Sequence, residues 1–124
     1  MERWPTDGYL IRRPRHPAAH RVALEATRSE STLDALAAQV FTSARHIQRL
    51  FIDETGLPFA TWRTRARLNR AIVSLRSGEG LAGATRASGF PTKQGLLKAL
   101  SRECDIPIER LARDTVAPFA EPAP

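Results

Sequence analysis

Apolar side chains recur every three or four positions through most of the sequence, which is the spacing of a helix with one buried face. Proline, glycine and capping residues divide this pattern into separate segments. The pattern predicts seven helices, near residues 17–28, 31–40, 43–56, 59–76, 81–88, 92–104 and 108–113. No segment alternates apolar and polar residues as a strand does, so the predicted fold class is all-α.

Capping residues mark the start of the second and third predicted helices. Ser31 followed by Asp34 has the spacing of a capping box, in which side chains satisfy backbone N–H groups of the first turn. Ser43 has the position of another N-cap residue. Gly56 is expected to end the third helix, because glycine suits the conformation found just past a helix C-terminus.

The sequence contains an internal repeat of 48 to 49 residues. At a shift of 48 the second helix falls on the fifth, so that Leu33, Leu36 and Ala37 match Leu81, Ala84 and Thr85. At a shift of 49 the third helix falls on the sixth, so that Ile47, Leu50, Phe51 and Gly56 match Leu96, Ala99, Leu100 and Asp105. Two copies of this length predict two paired helix-turn-helix modules rather than a solenoid.

The repeat and the breaks between helices predict the organisation of the chain. The predicted parts are a flexible basic arm at 1–17, a first helix-turn-helix subdomain at 18–58, a linker helix at 59–76, a second and weaker helix-turn-helix subdomain at 77–114, and a disordered tail at 115–124.

Charge favours a polyanionic partner. The 124 residues include 19 Lys and Arg against 13 Asp and Glu, which gives a formal net charge of +6. The single cysteine, Cys104, excludes an intramolecular disulfide framework and is typical of a reducing cytoplasm. No metal site, cofactor motif, membrane span or secretory signal is predicted, so the expected location is the cytoplasm, in association with the nucleoid.

Two short helices joined by a tight turn form the motif that places a recognition helix in the major groove of DNA. An ordinary helical hairpin has the same pattern, so one copy alone leaves both interpretations open. Two copies with arginine-rich outer faces favour double-stranded DNA. The sequence lacks paired carboxylates, a nucleophile with its base and a glycine-rich phosphate loop, so no enzymatic activity is predicted.

Four stretches of sequence carry a family resemblance. They are Ile47-Gln48-Arg49-Leu50-Phe51, Glu54-Thr55-Gly56, Arg65-x-Arg67-Leu68-x-x-Ala71 and Gly89-Phe90. With them the sequence resembles, over roughly residues 20–114, the DNA-binding domain of the AraC/XylS family of bacterial transcription regulators. The resemblance implies seven helices, two helix-turn-helix units and recognition helices that enter two successive major grooves.

The resemblance also implies a small stand-alone member without an effector domain. No small-molecule effector is therefore expected to bind within this chain, and RNA polymerase is a further candidate partner. Phe41 departs from the family pattern because it stands where glycine is usual. In the second unit Ala84, Thr85 and Ser88 are smaller or more polar than usual, and Gly83 costs about 1 kcal/mol of helix propensity. The second unit is therefore expected to be the looser half.

Carried over position by position, the resemblance implies base contacts from both recognition helices. The candidates are Arg45, His46, Gln48 and Arg49 in the first and Gln94 and Lys98 in the second. Arginine pairs bidentately with guanine and glutamine with adenine, so the first helix has the chemistry of a reading surface. Leu97 takes the place of one reader, and the second unit is expected to supply less sequence information. The alternative for each residue is a solvated helix face.

A second set of polar residues is expected to contact phosphates. They are Ser43, Arg63, Arg65, Arg70, Thr92, Lys93 and Arg102. Buried pairing of the arginines with Asp53, Glu54 or Glu103 is the alternative, and a structural role is expected for Arg67. Cys104 is interpreted as a small buried hydrophobe rather than a redox sensor.

The predicted function is sequence-specific regulation of transcription. The alternative is a degenerate DNA-binding module that acts mainly through a protein partner, either RNA polymerase or another regulator. An apolar Leu97 and the weakened helix around Gly83 support that alternative.

Overall fold

A computed structural model of the protein describes residues 11–120. Within these residues it has eight helices and no strand, which confirms the all-α prediction. The helices are α1 (Pro17–Ala26), α2 (Leu33–Gln39), α3 (Ala44–Thr55), α4 (Phe59–Arg76), α5 (Leu81–Ser88), α6 (Lys93–Cys104), α7 (Ile108–Arg113) and α8 (Ala117–Ala120). Residues 1–10 of the predicted arm and 121–124 of the predicted tail lie outside the described residues. Within residues 11–120, no helix is long and apolar enough to cross a membrane.

The chain divides into two compact units, Met1–Ala66 and Arg67–Pro124. The division falls inside α4, so the first part of this helix belongs to unit 1 and the rest to unit 2. Unit 1 also contains α1, α2 and α3, and unit 2 contains α5, α6, α7 and α8. The helix predicted at 59–76 is present with those bounds, but each of its ends packs within a different unit.

Hydroxyl side chains cap the N-termini of α2 and α3, the two helices of the first helix-turn-helix. Thr32 Oγ1 accepts a hydrogen bond from the N–H group of Ala35 at 3.2 Å, and Ser43 Oγ accepts one from His46 at 3.1 Å. The start of α2 therefore lies one residue later than predicted, and it is a simple N-cap rather than a capping box, because Ala35 has no side chain that could bond back to Thr32. Thr32 has the extended backbone of an N-cap, with φ −69° and ψ 161°, which brings its hydroxyl over the first turn.

Aromatic rings fill the centre of unit 1. Phe51 of α3 meets Phe59 and Trp62 of α4 edge-to-face, with ring centroids 5.2 Å and 5.1 Å apart. Apolar residues of α1, α2 and α3 complete this core: Ala19, Val22, Ala23, Ala26, Leu36, Ala37 and Ile47. Because Ile47 and Phe51 face the core, the opposite side of α3 faces solvent.

Aliphatic side chains dominate the core of unit 2. Those fully buried include Leu68, Ile72, Leu75, Leu96, Leu100 and Leu111. Phe119 of α8 is the largest fully buried side chain of this unit, and Asp114 Oδ1 accepts hydrogen bonds from the N–H groups of Val116 and Ala117 before α8 begins. The expected disorder from residue 115 is thus corrected as far as residue 120, because burial of the Phe119 ring stabilises a segment with no periodic pattern.

Residues 11–16, here called the strap, are fastened to unit 1 although the sequence predicts a flexible arm over 1–17. The carbonyl oxygen of Arg12 accepts a hydrogen bond from the indole Nε1 of Trp62 at 2.8 Å. The N–H groups of Arg15 and His16 both donate to Glu54 Oε1, at 2.8 Å and 2.9 Å. Both anchors lie about forty to fifty residues away along the chain, so local sequence gives no sign of them.

Candidate nucleic-acid interface

α3 presents one exposed face along its length, here called the reading face. Arg45, Arg49 and Ile52 are separated by four and three residues and therefore lie on one side of the helix. All three are exposed, whereas Ile47 and Phe51 are buried on the other side. The reading face borders a shallow open groove lined by Leu33, Ala44, Arg45, Gln48, Arg49, Ile52 and Asp53. Two guanidinium groups and an aliphatic side chain can therefore reach a surface that fits against α3.

Ile52 is a member of this face that the sequence analysis did not single out. Its side chain is 47% exposed, which is unusual for isoleucine in a domain with a well-filled core. The signal was available in the spacing, since Ile52 lies seven residues after Arg45 and three after Arg49. An exposed aliphatic group at this place is suited to contact with a thymine methyl group.

Gln48 has a structural role in addition to its predicted base contact. Its Oε1 atom accepts a hydrogen bond from the N–H group of Phe59 at 2.6 Å, and the side chain is half-buried. Phe59 is the first residue of α4, whose N–H group has no partner within the helix. Bidentate recognition of adenine needs both amide atoms, and here the oxygen already caps α4.

His46 lies at the flank of the reading face rather than on it. Successive residues of a helix are rotated by about 100°, which separates His46 from Arg45 and turns it towards the strap. Its ring makes an edge-to-face contact with the ring of His16, with centroids 5.8 Å apart. The side chain is exposed and remains within reach of a ligand that lies across the flank of α3.

Ser43 and Thr92, both predicted phosphate contacts, are the N-cap residues of α3 and α6. Thr92 Oγ1 accepts a hydrogen bond from the N–H group of Gly95 at 3.0 Å, in the same way as Ser43 accepts one from His46. Both side chains are exposed. A hydroxyl that accepts a hydrogen bond keeps its own proton for donation, so capping is compatible with a phosphate contact.

Arg63 binds the protein itself rather than facing solvent as a phosphate ligand. Its Nε atom donates to the carbonyl oxygen of Ala26 at 3.0 Å and its Nη1 atom to that of Ser31 at 2.6 Å. Nη2 donates to the carbonyl oxygen of Ser29. These three carbonyls belong to the end of α1 and the loop before α2, which have no helical partners for them. Arg63 therefore has a structural role, and its phosphate contact stays a prediction.

The other predicted phosphate ligands divide by exposure. Lys93 is exposed, and Arg102 is exposed but has its Nε atom 2.9 Å from Glu103 Oε2. Arg65 and Arg70, like Arg67, are half-buried and interact with other groups of the protein. Arg102 therefore pairs with Glu103, but its side chain is 65% exposed, so this is not the buried pair given as the alternative.

The second recognition helix, α6, presents a narrower polar face. Gln94 and Lys98 are exposed one turn apart, as predicted for base contacts. Leu97 is only 7% exposed and lies with the buried residues Leu96, Ala99 and Leu100. It is a core residue, so it offers no apolar surface to DNA or to a protein partner.

Backbone N–H groups shape the electrostatics beside α3. Hydrogen bonds from the N–H groups of His16 and Arg15 hold the pKa of the Glu54 carboxyl below its ordinary value, against the opposing effect of its burial. Electrostatic interactions with these two residues also lower this pKa. Glu54 therefore keeps its charge to a lower pH than an ordinary glutamate does.

The sequence matches known DNA-binding proteins. A family model described as "Helix-turn-helix domain" matches residues 36–114, which include the second helix-turn-helix motif and the first from within α2 onward. Over 60 residues the chain is 40% identical to the "Bifunctional transcriptional activator/DNA repair enzyme Ada" of Escherichia coli (strain K12). That match covers 48% of this chain and 17% of Ada, so the chain spans less than a fifth of the length of this relative. No solved structure matches the chain.

Proposed function

The chain belongs to the AraC-type helix-turn-helix family of DNA-binding transcription regulators, and from this we propose that it reads a specific sequence in double-stranded DNA by inserting α3 and α6 into successive major grooves. The observation that carries the proposal is the reading face, on which Arg45, Arg49 and Ile52 are exposed together. α3 supplies most of the specificity in this proposal.

Each member of the reading face suits a different feature of a base pair. Arg45 and Arg49 present guanidinium groups that pair with O6 and N7 of guanine, whereas Ile52 suits the thymine methyl group. Gln48 keeps its amide N–H groups for a single contact while its oxygen caps α4. On α6, Gln94 and Lys98 supply a smaller set of polar contacts.

Phosphate contacts hold the protein in register on the duplex without reading sequence. Ser43 and Thr92 at the starts of the two recognition helices are suited to this task, because the N-terminus of a helix attracts anions. Lys93 and Arg102 add positive charge along α6. Since the matched family model is a DNA-binding domain, we propose no enzymatic activity for this chain.

Selection of bound duplexes from a random pool tests the proposal. The full chain is expected to enrich one asymmetric site, and an Arg45→Ala/Arg49→Ala double variant is expected to lose that preference while it keeps nonspecific affinity. Arg28→Ala/Arg113→Ala is a matched control, since it removes two exposed arginines that do not line the groove along the reading face. Failure of the unmodified chain to enrich any sequence would overturn the proposal.

A module that acts mainly through a protein partner is a second candidate, and Phe41 favours it. The phenyl ring is 97% exposed at the turn between α2 and α3, where it contributes nothing to the core. Exposed aromatic side chains are common at protein interfaces. Steep salt dependence of binding without sequence preference, in the same selection, would support this function over the first.

A further inference from the structure

The hydrogen bonds that fasten the strap leave the side chains of its three arginines exposed. The hydrogen bonds that join the strap to Trp62 and Glu54 use its backbone atoms: the carbonyl of Arg12 and the N–H groups of Arg15 and His16. Ile11 and Pro14 are buried, whereas Arg12, Arg13 and Arg15 are exposed. The backbone is thus held in one place while three cationic side chains stand on the surface.

These arginines surround a cleft of about 620 Å³ beside α3. Its lining consists of Arg12, Arg13, Arg15, Asp53 and Glu54. The carboxylate of Glu54 is already occupied as the acceptor of two backbone hydrogen bonds. Three guanidinium groups against two carboxylates leave the cleft with a small excess of positive charge, and guanidinium groups are suited to the bidentate binding of phosphate.

The strap also lies beside the reading face at two positions along α3, at Asp53 and at His46. Asp53 lines both the arginine cleft and the groove along the reading face. One turn from the start of α3, the ring of His46 contacts that of His16 at the end of the strap. A duplex seated on the reading face would bring its sugar-phosphate backbone close to the strap.

We propose that the strap is a preformed phosphate-binding rim, in which Arg12 and Arg15 contact the DNA backbone beside the base pairs read by α3. This inference rests on the proposed function and extends the DNA contact beyond the helix-turn-helix motif. An arm that is flexible before binding loses conformational entropy when it is ordered on DNA, whereas a strap already fastened by Glu54 and Trp62 does not.

Salt dependence of binding tests the proposal with the full chain. Affinities of Arg12→Gln/Arg15→Gln are measured against salt concentration on a duplex carrying the selected site and on a shuffled duplex of the same composition. Two lost phosphate contacts are expected to reduce the slope of log affinity against log salt by about 2 and the affinity at low salt by about tenfold or more, on both duplexes. The ratio of the two affinities is expected to stay unchanged, because phosphate contacts carry no sequence information.

The control variant Arg28→Gln/Arg113→Gln removes the same charge from exposed positions outside the cleft. A slope equal to that of this control would overturn the strap proposal, and it would leave the proposed function standing if the selected site is still preferred. If the unmodified chain binds the selected and the shuffled duplex equally well, the proposed function is overturned. The slopes of log affinity against log salt on the shuffled duplex would still test the strap proposal. Circular dichroism confirms that each variant is folded.

Glu54→Ala supplies an independent test, because it releases the strap and at the same time removes a negative charge. A general charge effect predicts tighter binding of this variant to DNA. The strap proposal predicts weaker binding, since the arginines lose their fixed positions. Tighter binding would overturn it.

Discussion

In both units the helix-turn-helix motif has a residue with left-handed backbone conformation at the turn before the recognition helix and another at the end of that helix. The glycine is at the helix end in unit 1 and at the turn in unit 2. In unit 1 the turn before the recognition helix has Phe41 at φ 59°, and the helix ends at Gly56 with φ 79°. In unit 2 the corresponding residues are Gly89 at φ 77° and Asp105 at φ 56°. The motif thus demands this backbone conformation at both points, whichever residue is present. Unit 1 carries more strain, since a bulky residue suits positive φ less well than aspartate does.

The recognition helices also differ in how much of their surface is buried. α3 buries Ile47 and Phe51, whereas α6 buries four residues and its Leu97 occupies the place of Gln48. At this position the side chain turns inward in both units, as a cap on α4 in unit 1 and as part of the core in unit 2. Unit 1 therefore keeps the broader exposed face.

Gly83 lowers helix propensity, but in the structure its lack of a side chain makes space for Glu79. A Cβ atom at this position would lie 2.7 Å from Glu79 Oε2, which accepts a hydrogen bond from Ser74 Oγ at 2.8 Å. α5 has no side-chain cap from Gly80, where unit 1 has Thr32. Gly83 makes room for a carboxylate near this N-terminus, where its charge is favourable.

Of the substitutions considered, Phe119→Ala is expected to lower the free energy of unfolding most, and it tests whether α8 completes the core of unit 2. Removal of a fully buried phenyl ring costs about 3 to 5 kcal/mol, because its burial is lost and a cavity remains. Denaturant titration of the full chain measures this loss. The control is Val73→Ala, which truncates a side chain that is 56% exposed on the same unit and should change stability by about 0.5 kcal/mol or less. Small losses for both variants would show that α8 does not complete the core of unit 2.

Arg49→Ala is expected to weaken binding to the selected site by about 1 to 3 kcal/mol and to relax the preference at one base pair. Lys98→Ala, at the corresponding position of α6, is expected to cost less, since α6 has the narrower polar face. Titrations on the selected and singly substituted duplexes measure both effects. Equal losses would contradict the larger reading role of unit 1.

Arg63→Gln is expected to lower the free energy of unfolding by about 2 kcal/mol, because three backbone carbonyls lose a charged donor. The salt dependence of DNA binding should remain that of the unmodified chain. Thermal unfolding and the salt titration together separate the two roles. Unchanged stability with a smaller salt slope would restore the phosphate role predicted from the sequence.

Phe41→Gly and Gly89→Ala are expected to change stability in opposite directions at matched turns. Glycine removes the strain of positive φ at residue 41 and raises the free energy of unfolding by up to about 1 kcal/mol, after its greater chain entropy is counted. Alanine introduces that strain at residue 89 and lowers stability by about 1 kcal/mol. Denaturant midpoints measure the direction of both changes in stability. A lower midpoint for Phe41→Gly would contradict the claim that Phe41 is strained.

Glu54→Gln is expected to have the smallest effect on stability, below about 1 kcal/mol at neutral pH, because solvent screens the exposed anchor. The folded-state pKa of Glu54 is lowered, so its contribution is present above the ordinary pKa and is lost as pH falls through the lowered value. Stability measured between neutral and strongly acidic pH should therefore converge for the two proteins. A difference that persists in strong acid would contradict this assignment.

Most helix positions follow from local pattern. α4, α5 and α7 have the bounds that periodicity and glycine breaks predict, and Ser43 and Gly56 cap α3 as expected. The exposed positions of Arg45, Arg49, Gln94 and Lys98 follow in the same way from helical spacing. These features depend on residues within one or two turns of each other, which is the range that a sequence pattern covers.

Other features depend on residues far apart in the chain. Gln48 caps a helix eleven residues away, Arg63 binds carbonyls more than thirty residues away, and Glu54 fastens a segment whose composition resembles a flexible arm. A polar side chain with helical spacing fits a DNA contact and a structural hydrogen bond equally well. Packing selects between them, because only the folded chain brings an unsatisfied backbone group within reach of that side chain.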